Sequence, residues 1–132
     1  MKEMQYQANN KIELLDSGTF KNYNYYILSL GTHPTAYVEI TKGNKIYEKD
    51  YKEINLEVHG GLTYSRDFLW ISKERKLQGW FIGWDYAHHG DFSGIISFAK
   101  GKQWTVAEII KDVHCVIEQL KGEMKHGGNS NR

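Results

Sequence analysis

One cysteine and one proline are all that this chain of 132 residues holds of either type, and each scarcity removes a class of architecture. Cys115 has no second cysteine to pair with, so an intramolecular disulfide and a thiolate metal cluster are both excluded. With Pro34 alone there is no proline-rich linker, and no low-complexity block or internal repeat appears. Charge of one sign is also lacking. Seventeen Lys and Arg against sixteen Asp and Glu leave a formal net charge of +1, with no strong field for gripping a long nucleic-acid backbone. A local basic patch stays compatible with that balance. No apolar run approaches the roughly 20 residues that span a bilayer, and the opening Met1-Lys2-Glu3-Met4-Gln5-Tyr6-Gln7 lacks the apolar stretch of a signal peptide. The expected setting is a reducing cytosol.

What the chain does have is 40% hydrophobic and 14% aromatic residues, enough for one domain with a modest core. Residues 1–10 are polar and read as a frayed end or a short helical arm. Strand patterns follow at 11–15, 23–30 and 35–41, the first ending at the turn signal Asp16-Ser17-Gly18 and the next two joined as a hairpin through Gly31-Thr32-His33-Pro34. The charged stretch 46–53 reads as a loop or one short helical turn, and Asn55-Leu56-Glu57-Val58 alternates like a strand. Residues 66–78 carry charge without clear periodicity and read as a long loop, a candidate lid. Trp80-Phe81-Ile82-Gly83-Trp84 looks like a buried strand, with Trp80 and Phe81 in the core. Thr105-Val106-Ala107-Glu108 is a capping box, and Val106, Ile109, Ile110, Val113, Ile117 and Leu120 form one apolar stripe before the stop at Lys121-Gly122. The expected fold is α+β: an antiparallel sheet of about four to five strands with one long C-terminal helix packed on it. Residues 1–121 form a single domain in this reading, and 122–132 a polar tail. The aromatic strand 23–30 leaves pairing across a homodimer edge open.

Two short segments carry chemistry. In His59-Gly60-Gly61-Leu62-Thr63-Tyr64-Ser65 the glycine pair admits positive φ, and successive amides there can cradle an anion beside the His59 imidazole. Thr63, Tyr64 and Ser65 add hydroxyls. The duller alternative is a tight turn whose histidine only bonds a carbonyl. In Gly83-Trp84-Asp85-Tyr86-Ala87-His88-His89-Gly90-Asp91, the spacing of Asp85, His88 and Asp91 brings side chains to one side of a turn. Those three form a candidate divalent-metal set, and His59, His88, His89 and Asp91 are candidates for acid–base work on a phosphoester. No rigid metal signature such as His-Glu-x-x-His is present. Trp84 or Tyr64 can stack on a base. His33, His114 and His126 read as turn, helix-surface and tail histidines. Cys115 has no basic neighbour to lower its pKa and reads as a plain helix residue.

These two segments, together with Tyr37-Val38, Lys42-Gly43, Tyr47-Glu48-Lys49-Asp50-Tyr51, the Trp104-Thr105 helix start and Val116-Ile117-Glu118-Gln119-Leu120, resemble a family of small, uncharacterised proteins. Its members are encoded by phages, prophages and mobile elements of Gram-positive bacteria. The likeness covers roughly residues 35–121. The sequence departs from it at Asn44-Lys45-Ile46, where the family pattern has His-Pro-Leu, which weakens the case for a metal. The resemblance implies a counter-defence role in the host cytosol. The expected partner is then a nucleotide immune signal, or another phosphate-bearing ligand, that is sequestered or hydrolysed at the histidine segments with or without a divalent metal ion. The alternative partner is a host defence protein blocked stoichiometrically, in the manner of an anti-CRISPR protein, with the histidine segments structural.

Overall fold

Alternate side chains of residues 23–29 go to opposite faces, as a strand requires, yet both sets are rich in aromatic and branched groups. Such a strand needs cover on both sides. The computed structural model, which describes residues 12–31, 33–86 and 104–122, supplies it. Five strands, β1 (Glu13–Phe20), β2 (Tyr23–Ser29), β3 (Pro34–Ile40), β4 (Tyr64–Ser72) and β5 (Arg75–Asp85), form one sheet in the order β1-β2-β3-β5-β4. Every neighbouring pair is antiparallel. One helix, α1 (Val106–Lys121), packs on a face of it, and a single 3₁₀ turn covers Tyr51–Glu53. Among the described residues the fold is thus an antiparallel sheet with one helix upon it, as the apolar patterns indicate.

The helix ends where its sequence says it should. Thr105 Oγ1 accepts from the Glu108 amide while the Glu108 carboxylate accepts from the Thr105 amide, and Gly122 closes the helix in a left-handed conformation. Ile109, Val113, Val116 and Ile117 face the sheet and join Tyr23, Tyr25, Ile27, Val38, Ile82 and Trp84 in a first core. A second core of Leu28, Tyr37, Tyr64, Leu69 and Phe81 fills the other face. No helix among the described residues covers that face. Instead the two outer strands, β1 and β4, approach each other, so the sheet curls around its own second core. Among the described residues no helix is long and apolar enough to cross a membrane.

Aromatic rings pack closely over glycines on both faces of the sheet. Tyr37 lies opposite Gly83 and Tyr25 opposite Gly18, and in each pair the ring occupies the space where a Cβ would stand. A side chain on either glycine would push the aromatic ring off the sheet.

Three local readings are corrected. Asp16-Ser17-Gly18 does not turn the chain: β1 runs through it, absorbing the irregularity as a register shift between Leu14 and Asp16. The turn falls at Lys21 and Asn22, both with positive φ (50° and 72°), the type I′ geometry that suits a two-residue hairpin. Residues 66–78 are not a loop and offer no lid; they form most of the β4–β5 hairpin, turning at Lys73-Glu74. Residues 55–58 belong to no strand, although Leu56 and Val58 pack on the first core. Their partner is a side chain: the Gln119 carboxamide accepts from the Glu57 amide and donates to the Glu57 carbonyl, each at 2.8 Å.

Gly83→Ala tests the packing. Its Cβ would overlap the Tyr37 ring and stand 2.8 Å from the Ala36 carbonyl oxygen, a backbone atom that cannot swing away. The expected loss is about 1–3 kcal/mol in chemical denaturation. Gly43→Ala, where nothing lies within 4 Å, should leave the midpoint unchanged.

Candidate functional site

Two segments of chain converge at the end of β5. The Thr63 amide donates to the Gly83 carbonyl at 2.8 Å, and the pairing of Tyr64 with Gly83 begins β4 directly behind the glycine turn. Within that turn Gly60 and Gly61 both have positive φ (71° and 83°), which a residue with a side chain rarely adopts. The Gly61 amide donates to the Val58 carbonyl at 2.9 Å, so it is committed inside the turn. The clamp of Gln119 on Glu57 fixes the chain on the other side.

The His59 imidazole projects from this turn onto the ring of Tyr86, nearly parallel to it (10°) with centroids 4.9 Å apart. The Trp104 indole lies 4.7 Å from His59 and 5.1 Å from Tyr86. Three rings from three distant parts of the sequence thus meet at one end of the sheet. Tyr86 is fully buried, its hydroxyl accepting from Trp84 Nε1 at 2.9 Å and donating to Asp112 Oδ2 at 2.7 Å. That relay ties the strand end to the helix, and the Tyr86 amide is bonded to the Pro34 carbonyl. The surface on which His59 rests is therefore rigid.

The remaining candidates are distributed as follows. Trp84 is 1% exposed and its indole N–H is engaged, so it presents no face to a base. Trp104, beside His59, is half-buried. Tyr64 is buried, donates its hydroxyl to the Phe68 carbonyl at 2.6 Å, and has its pKa raised by burial and then by Tyr37, which keeps it a neutral donor. Ser65 Oγ accepts from the Tyr51 amide and anchors the 3₁₀ turn. Tyr64 and Ser65 thus hold structure, whereas Thr63 is exposed. Asp85 pairs with Thr35 across β3 and β5. Strand alternation puts it on the face opposite Trp84 and Tyr86, away from His59. His88, His89 and Asp91 lie outside the described residues, so of the suggested metal set only Asp85 is placed. Among the described residues no three His, Cys, Asp or Glu side chains cluster as metal ligands. Asn44 is built into its turn, donating to the Tyr23 hydroxyl and accepting from the Ile46 amide.

Outside this end of the sheet, His114 stacks on Phe20 at 3.8 Å and serves packing between helix and hairpin. Cys115 is exposed, and its thiol pKa is raised by partial burial and then by Asp112 and Glu118, the opposite of what a nucleophilic thiolate needs. Sequence reading missed Trp104 and Asp112 as parts of the site. Their only signal was position: an indole just before a helix cap, and a carboxylate beside the apolar stripe.

Tyr86→Phe removes the relay and leaves the buried Trp84 N–H without its acceptor. It should cost about 1–3 kcal/mol in thermal or urea unfolding, while Asp112→Asn, which keeps an acceptor oxygen, should cost less. Gln119→Ala removes two hydrogen bonds to the backbone at Glu57 and should cost about 1–2 kcal/mol, with faster amide exchange across residues 55–61. Comparison with protein-family models, curated proteins and solved structures finds no match to this chain.

Proposed function

We propose that the chain binds a small phosphate-bearing ligand, a nucleotide, at the end of the sheet where the two histidine segments meet. The observation that carries this reading is the His59 ring on its glycine turn, stacked on Tyr86 and flanked by Trp104. An imidazole held in this way has a fixed direction in which to donate to a phosphate oxygen, and an indole beside it offers a surface for a base. His88, His89 and Asp91 follow shortly after Tyr86 in the sequence and are proposed to complete the site, with His59, as proton donors and acceptors. A divalent ion would enter with the ligand's own phosphate through His88 and Asp91, without Asp85, which strand alternation turns away from His59. In a cell the proposed role is counter-defence: capture of a nucleotide immune signal in the host cytosol, or its removal by phosphodiester hydrolysis.

One observation favours the rival reading. Tyr64, Ser65 and Trp84 all have structural bonds, as expected if the histidine segments only hold the sheet end together and the chain acts as a stoichiometric inhibitor of a host defence protein.

A melting-temperature screen against mono-, di- and cyclic nucleotides, with and without divalent metals, separates the two. A ligand at a hundred times its Kd stabilises the native state by about 2.7 kcal/mol, a rise on the order of 10 °C for a domain of this size. His59→Phe keeps a stackable ring and removes both nitrogens, so it should melt near the wild type and lose that rise. A screen with no rise from any nucleotide supports the inhibitor reading instead. Product analysis on a nucleotide that does bind distinguishes capture from hydrolysis.

A further inference from the structure

We propose that the outer face of the β4–β5 hairpin binds single-stranded nucleic acid. This surface is separate from the histidine turn. β5 is 11 residues long and spans roughly 33 Å from Arg75 at the hairpin to Asp85 near the turn, so either proposal can fail without the other.

The argument begins with Lys76. Its ammonium stands 5.6 Å from the ring centroid of Phe68 and 5.6 Å from that of Trp70. Lys76 is exposed and both rings are half-buried, so their faces are reached from solvent by a cation that is free to move to a better acceptor. Phe68 and Trp70 are two positions apart on one strand and share a face, which spaces them about 6.6 Å along β4. That is close to the reach of one extended nucleotide, so successive bases can stack on successive rings. Base stacking on aromatic platforms is tolerant of sequence and is the main attraction in many single-strand grooves.

Charge completes the match. Residues 66–78 hold Arg66, Lys73, Arg75 and Lys76 against Asp67 and Glu74, a local positive excess in a chain that is nearly neutral. Lys73, Arg75 and Lys76 are all exposed at or beside the hairpin turn; Lys76 lies over the two rings, whereas Arg75 alternates to the other face of β5, near Tyr26. α1 packs chiefly on β1, β2 and β3 and does not claim this face. An acidic peptide would satisfy the cations, but it supplies no planar groups for two rings at this spacing. A base-bearing polyanion satisfies both.

The test is fluorescence anisotropy with a labelled oligothymidylate of about twelve nucleotides, two to three times the smallest single-strand site. Binding is expected, with quenching of tryptophan emission. If Lys73 and Lys76 engage phosphates, raising salt fourfold should weaken binding about sevenfold. Phe68→Ala should weaken it at least fivefold, and Lys73→Glu with Lys76→Glu should abolish it. Trp70 packs against the margin of the second core and Phe68 lies edge-on to Tyr64, so each variant is checked for an unchanged melting temperature and the cations Lys73 and Lys76 serve as the independent probes. Lys111→Glu, an exposed charge reversal on α1, should bind like wild type. The proposal is overturned if no oligonucleotide binding occurs at low salt. It is equally overturned if Phe68→Ala binds as wild type, or if polyglutamate of equal charge competes as well as the oligonucleotide. Either of those results would mark a patch for acidic protein.

Discussion

A tyrosine hydroxyl cut off from water has to find its donor and its acceptor within the protein, and Tyr86 finds both at one point of the fold. Trp84 Nε1 donates to it and Asp112 Oδ2 accepts from it. The two aromatic residues lie on or just past β5, and Asp112 is on α1. A buried relay of this kind fixes more than its two bonds, because shifting either element strands a polar group in the core. The helix is thereby set in register against the sheet, and the Tyr86 ring becomes the floor on which His59 rests. Trp104, just ahead of the helix cap, reaches the same place for the same reason.

The opposite face of the sheet obeys a different constraint. With no helix over it among the described residues, its apolar groups are buried by curling β1 toward β4. On that face a large ring is laid over a glycine, Tyr37 over Gly83; Tyr25 over Gly18 does the same on the helix face. The same curl turns the outer face of the β4–β5 hairpin toward solvent. One sheet thus presents two chemically distinct surfaces, an imidazole among rings at one end of β5 and cations among rings at the other.

Much of this was legible in the sequence, where local chemistry acts alone. The capping box at Thr105 and Glu108 and the glycine at 122 mark both ends of α1 to the residue. The aromatic alternation of residues 23–29 marks a strand, and the glycine pair at 60–61 marks a left-handed turn. The hairpin of residues 66–78 was not legible. Leu69 and Ile71 are buried while Phe68 and Trp70 are half-buried, so the run shows no polar alternation. Its turn, Lys73-Glu74, carries none of the glycine, asparagine or proline that announces one. Residues 55–58 misled for the converse reason: their alternation is real, but a glutamine side chain takes the place of a strand. Trp84 and Trp104 are alike as letters. Only the tertiary fold buries the first and sets the second beside His59.

The central claim is that the two histidine segments form one ligand site on the floor that Tyr86 provides. The measurement that reaches it most directly is the imidazole NMR spectrum of histidine-labelled protein titrated with nucleotides. The account predicts that the His59 resonances move together with those of His88 or His89 along one saturating curve, while His114, packed on Phe20, stays in place. Motionless His59 resonances in the presence of a nucleotide that binds would contradict it.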